Sequence, residues 1–106
     1  MFIREVFREV DLLVAPVIPE PALPWAEAKA GSPGEVARRM GRFSRLTRPL
    51  NALGLPALSL PCGTSPDHRP LAVQIVGRPF DEAGVLRLAR ACERETAWTS
   101  ARPSPA

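Results

Sequence analysis

A chain of 106 residues holds one small domain at most, and its 45% apolar and 24% charged residues exclude a disordered polymer. The net charge of +3 is an arginine property, because Lys29 is the only lysine among 14 basic residues, and the arginines alternate with Glu5, Glu9, Glu35, Glu82, Glu93 and Glu95. That interleaving describes a solvated or partner-facing surface and not a nucleic-acid tract, and no apolar run approaches the roughly 20 residues of a membrane span.

The first ten residues place Phe2, Ile3, Val6, Phe7 and Val10 on one helical face, with Arg4, Glu5, Arg8 and Glu9 elsewhere. No long apolar stretch of the signal-peptide kind occurs there, so a cytoplasmic location is expected. Asp11 leads into LLVAPVI, a continuous apolar run that fits a fully buried strand ending near Pro16. Pro19, Pro21 and Pro24 then hold an extended, non-helical excursion. The 13 prolines, above the usual share of about 5%, argue that much of the chain runs as irregular segments over something else.

A second helix is expected from 34 to 46, with Ser32 or Gly34 near its start. In LTRPLNALGLPALSLPCG, three prolines and two glycines cut an apolar stretch into pieces too short for a helix or a long strand. ALSL is the short strand left between Pro56 and Pro61. A run of turn formers, Thr64 to Arg69, separates it from the strand LAVQIVG, and the two are expected to pair antiparallel. Asp81 is a good N-cap for the last helix, whose Val85, Leu88, Ala89 and Cys92 form a stripe. Trp98 is expected to close that helix, and ARPSPA to fray.

Chemistry is sparse. His68 is the only histidine and sits in a turn, and Cys62 and Cys92 have no metal spacing and read as small buried hydrophobes. Lys29 and Ser32 are three apart, but a serine–lysine base must be desolvated, and AKAGSP reads as a loop. Gly54 and Gly63 are isolated and cradle no phosphate. No catalytic residue, metal ligand or cofactor site is expected from the residues.

Thr47-x-Pro49-x-Asn51-x-x-Gly54-Leu55-Pro56-Ala57-x-Ser59-x-Pro61-x-Gly63 resembles the C-terminal block of the amidase signature family. The agreement continues through Pro70 and QIVGRPFDE to a closing helix near Glu93, and Phe7-x-x-Val-Asp-Leu-Leu-Val-x-Pro16 is similar to the family's helix-to-strand step. The resemblance implies an α/β fold, the C-terminal part of a mixed-sheet domain, with short strands and about three helices. It spans residues 1–98, with 99–106 as a flexible tail. It also implies a parent enzyme that cleaves small-molecule amides through a serine acyl-enzyme, without cofactor. The family's serine–serine–lysine set lies in a glycine- and serine-rich N-terminal region that this sequence does not contain, so a truncated or split portion, inactive alone, is the expected product. Thr47 and Asn51 are the candidate structural or substrate-side loop residues, Asn51 being available to bond loop backbone groups. Members that draw ammonia from glutamine for charged transfer RNA usually carry an acidic residue three positions before the threonine. Ser44 stands there, which tilts the expectation toward a general amidase. The expected partners are the missing N-terminal part of an amidase or a second copy. A stand-alone interaction module and a weak arginine-based nucleic-acid binder are the alternatives.

Overall fold

The computed structural model describes residues 2–103. In chain order it contains α1 (Phe2–Glu9), β1 (Leu12–Pro16), α2 (Trp25–Ala28), α3 (Pro33–Phe43), α4 (Arg48–Leu53), β2 (Ala57–Thr64), β3 (Pro70–Gly77), α5 (Glu82–Glu95) and a 3-10 turn at Trp98–Ser100. The α/β architecture is the expected one. The three expected helices are joined by two short ones, α2 and α4.

The apolar run of β3 organises the molecule. It lies at the centre of a sheet of order β1-β3-β2, antiparallel to both neighbours. Alternation along a strand sends successive side chains to opposite faces. Ile75 therefore packs with Leu60, Val85 and Ala89 beneath α5, while Val76 packs with Phe7 and Leu55 on the other face. Leu50 of α4 joins that second cluster. Ile75 and Val76 are each 1% exposed. Burying such a side chain stabilises the fold by about 1.5–3 kcal/mol.

The pairing of ALSL with LAVQIVG is present, but its strand is longer than expected. β2 runs for 8 residues straight through Pro61. An edge strand tolerates a residue without an N–H, and the register slips between Pro61 and Gly63. Cys62 occupies that slip and is exposed, which corrects its reading as a buried residue; Cys92 is half-buried against the core beneath α5. β1 is the other edge. Leu12 and Leu13 are half-buried, but Val14 is 60% exposed, so the fully buried strand expected for LLVAPVI is not realised within the described residues.

Helix ends follow local chemistry. Ser32 opens α3 with a capping box: its hydroxyl accepts from the Glu35 N–H at 3.3 Å, and the Glu35 carboxylate accepts from the Ser32 N–H at 2.8 Å. α3 stops at Phe43, short of Leu46. The proline-cut stretch then makes a helix after all. Pro49 sits in the first turn of α4, where its missing N–H costs nothing, and Gly54 ends the helix at φ 67°, a left-handed conformation that suits glycine. Asp81 caps α5 as expected, accepting from the Gly84 N–H at 3.2 Å. That helix ends at Glu95, and Trp98 begins a separate turn lying against β2. Of the expected helix face at the N-terminus, Ile3, Val6 and Phe7 turn inward, whereas Phe2 and Val10 are exposed. Met1 and the last three residues of the expected tail lie outside the described residues. No helix among the described residues is long and apolar enough to cross a membrane.

Candidate functional site

The loop that joins α3 to α4, together with the first turns of α4, carries both candidate residues. Thr47 precedes α4 without capping it; its hydroxyl instead donates to the Ser44 carbonyl at 3.3 Å. Asn51 is exposed, and its side chain makes no hydrogen bond among the described residues, so the expected bond to loop backbone is not formed. The two residues line a shallow groove of about 160 Å³. Ser59 of β2 and Gln74 of β3 complete its polar lining, and Val17, Leu50 and Leu58 supply apolar surface.

Gln74 is the groove residue that reasoning from sequence did not single out by itself. It is only 4% exposed, and its Nε2 donates at 3.0 Å to the carbonyls of both Pro16 and Leu46. One polar residue inside LAVQIVG was the available signal, since a buried amide must find partners. Hydroxyls and amides of this kind can orient a polar ligand. None of them is paired with a base, so the groove can bind but holds no activated nucleophile.

The other candidates are engaged elsewhere. Ser65 donates its hydroxyl to Asp67, not to His68, and accepts from the Arg69 N–H at 3.1 Å. Asp67 also pairs with Arg69 at 2.8 Å, and Arg69 Nη1 donates to the Ala22 carbonyl at 2.5 Å. The turn between β2 and β3 thereby fastens the proline-rich excursion. The hydroxyl of Ser65, foremost, holds the Asp67 carboxyl below its ordinary 3.8; some desolvation opposes this, and Arg69 adds to the lowering. His68 is exposed at φ 64°. Lys29 lies 5.5 Å from the centre of the Trp25 ring while Ser32 caps α3, so no serine–lysine pair is assembled.

The arginine run is partly committed to the fold. Arg39 donates to the carbonyls of Ala28 and Ala30 at 2.9 and 3.0 Å. Arg42 approaches Glu20 Oε1 to 2.6 Å, in ion-pair contact without the angle of a hydrogen bond. Arg48 donates to Gly41 O at 3.1 Å and to Ser44 Oγ at 2.5 Å. Only Arg38 and Arg45 of the run lack a partner among the described residues. No group of three or more metal-ligating side chains occurs among the described residues.

A family model described as Amidase matches residues 2–86. The chain belongs to the amidase family. This amidase-family chain is 40% identical over 100 residues to the A-subunit of glutamyl-tRNA(Gln) amidotransferase from Thermodesulfovibrio yellowstonii, covering 94% of its own length and 20% of the relative. It is 47% identical over 89 residues to the same protein from Myxococcus xanthus, covering 84% of itself and 17% of the relative. Its fold is similar to the crystal structure of the Thermotoga maritima counterpart, with a TM-score of 0.72 and 32% identity, over 89% of this chain and 19% of that one. The chain spans about a fifth of the length of these relatives and corresponds to their C-terminal portion. All three are amidotransferase subunits, whereas Ser44 had tilted the expectation toward a general amidase. That side chain is occupied in the turn between α3 and α4, donating to Gly41 O at 3.2 Å and accepting from Arg48.

Proposed function

We propose that these residues act as the C-terminal segment of an amidase-signature enzyme of the cytoplasm, with residues 1–98 as the structural unit and 99–106 as a tail. On this reading the segment contributes one wall of an amide-binding cleft, through Thr47 and Asn51, and none of the reacting groups. A serine elsewhere in the enzyme attacks the amide carbonyl, the C–N bond breaks with release of ammonia or an amine, and water hydrolyses the acyl-enzyme. The relatives favour an enzyme that transfers that ammonia, as an amidotransferase does. The partner is then the remainder of an amidase domain, and self-association is what the segment does without it.

The observation that carries this reading is the match of residues 2–86 to the amidase family model, in a chain that covers only about one fifth of its relatives' length. The separate employment of Ser32, Lys29 and His68 agrees with it. Two assays test it. The purified chain, incubated with aliphatic and aromatic amides, is expected to release no ammonia. The Myxococcus xanthus relative lacking the matched stretch is expected to regain ammonia release from glutamine when this chain is supplied. Turnover by the chain alone that survives both Ser32→Ala and Lys29→Ala, or failure of the two pieces to associate, overturns the proposal.

A further inference from the structure

The groove loop has many bonds to itself and one to the sheet. Within it, Thr47 N and Arg48 N donate to the Ser44 carbonyl at 3.3 and 3.0 Å, and Asn51 N donates to the Thr47 carbonyl at 3.2 Å. Arg48 adds its contacts to Gly41 and Ser44. Every one of these joins residues no more than 7 apart. They fix the shape of the turn but leave its place on the sheet open. Leu50 packs into the cluster of Phe7, Leu55 and Val76, which holds α4 near the sheet without setting direction. Among the described residues, the only hydrogen bond from residues 44–53 to a strand is the one that Gln74 Nε2 donates to Leu46 O. The same nitrogen donates to Pro16 O, 58 positions away, at the end of β1.

We propose that Gln74 is the positioning residue of the groove, its carboxamide setting Thr47 and Asn51 against the sheet by tying the Leu46 and Pro16 carbonyls to β3. The chemistry demands an amide nitrogen. Its two N–H bonds diverge, so one buried atom serves two acceptors. A carboxylate of the same shape has no donor and would face two carbonyl oxygens in a site that is 4% exposed. Burial raises the pKa of such a carboxyl, and only its protonated form can donate, to one acceptor at a time. The significance of the tie for substrate rests on the function proposed above; the tie itself does not, and its test needs no activity.

The test is hydrogen exchange on the 106-residue chain, comparing the backbone amides of Arg48 and Asn51 with those of Ile75 and Val76 in the same molecules. Gln74→Glu near neutral pH is expected to raise exchange at Arg48 and Asn51 relative to Ile75 and Val76 by roughly tenfold, the scale of one lost hydrogen bond. After correction for intrinsic rates, the excess is expected to shrink as pH falls through the pKa of the introduced carboxyl. Gln74→Met, of similar length and without charge, keeps the fold accessible if the glutamate variant does not form; its loop excess is expected at every pH. Wild-type protection of the loop in Gln74→Met overturns the proposal. So does a loss of protection in Gln74→Glu that is equal in loop and core and has no step with pH, since that marks a residue of general stability only.

Discussion

Gly77 ends β3 at the point where the first turn of α5 crosses it. A Cβ there would lie 2.7 Å from Val85 Cγ2 and 3.2 Å from the Asp81 carbonyl oxygen. Val85 is itself 4% exposed and cannot swing away, and the Gly77 N–H is held by the Pro56 carbonyl at 2.9 Å. Gly77→Ala is therefore expected to destabilise the chain by about 1–3 kcal/mol, the usual cost of overpacking. Urea unfolding of the two proteins checks it; equal midpoints would show that α5 can shift outward freely. Arg78, the next residue, acts in the opposite sense. It draws α1 in by donating at 2.9 Å to both the Phe7 carbonyl and the Asp11 carboxylate.

At the scale of elements, the β2–β3 turn has a predicted response to acid. Because the Asp67 carboxyl is lowered below 3.8, its stabilising contribution is fully present above that ordinary value. It is lost as pH falls through the folded value, which lies lower still. The amide resonances of Ser65 and Arg69 are expected to shift together across that acid window, and Asp67→Asn is expected to flatten the profile. An unchanged profile in the variant assigns the transition to another group. The side chain is 54% exposed, so the effect belongs to the turn and not to global stability.

The whole molecule is flat. Its extents are 43 × 35 × 18 Å and its radius of gyration 16.1 Å, against the roughly 13 Å expected of a compact domain this long. Both outer strands of the sheet have an open edge among the described residues. Val14, Leu86 and Phe80 are 60%, 58% and 94% exposed. Open edges and apolar patches recruit other chains. The chain alone is expected to bind dyes that report exposed apolar surface, to unfold over a broad temperature range and to elute as dimers or aggregates. A dilute monomer with a sharp cooperative transition would instead favour a self-sufficient module.

The residues by themselves determined the start of the last helix and the course of the central strand, features set within a few positions of the chain. The Asp81 cap and the apolar run of β3 are legible because a cap acts over three residues and a strand is read from neighbouring ones. The start of α3, by contrast, is narrowed only to Ser32 or Gly34, and its capping box with Glu35 is not read from the sequence. The family was legible for a related reason, since its motif is an ordered spacing along one stretch. Other outcomes needed the third dimension. Whether LLVAP is a central or an edge strand depends on which strands stand beside it, and that also decides whether Pro61 can sit within β2. Short α4 is held because Leu50 finds Phe7, Leu55 and Val76 to pack against, an apolar gain that a segment of 6 residues needs to stay helical. The groove followed the same logic. Thr47 and Asn51 could be named from their motif, but Gln74 became a site residue only when folding brought Pro16 and Leu46 to one nitrogen from 58 and 28 positions away.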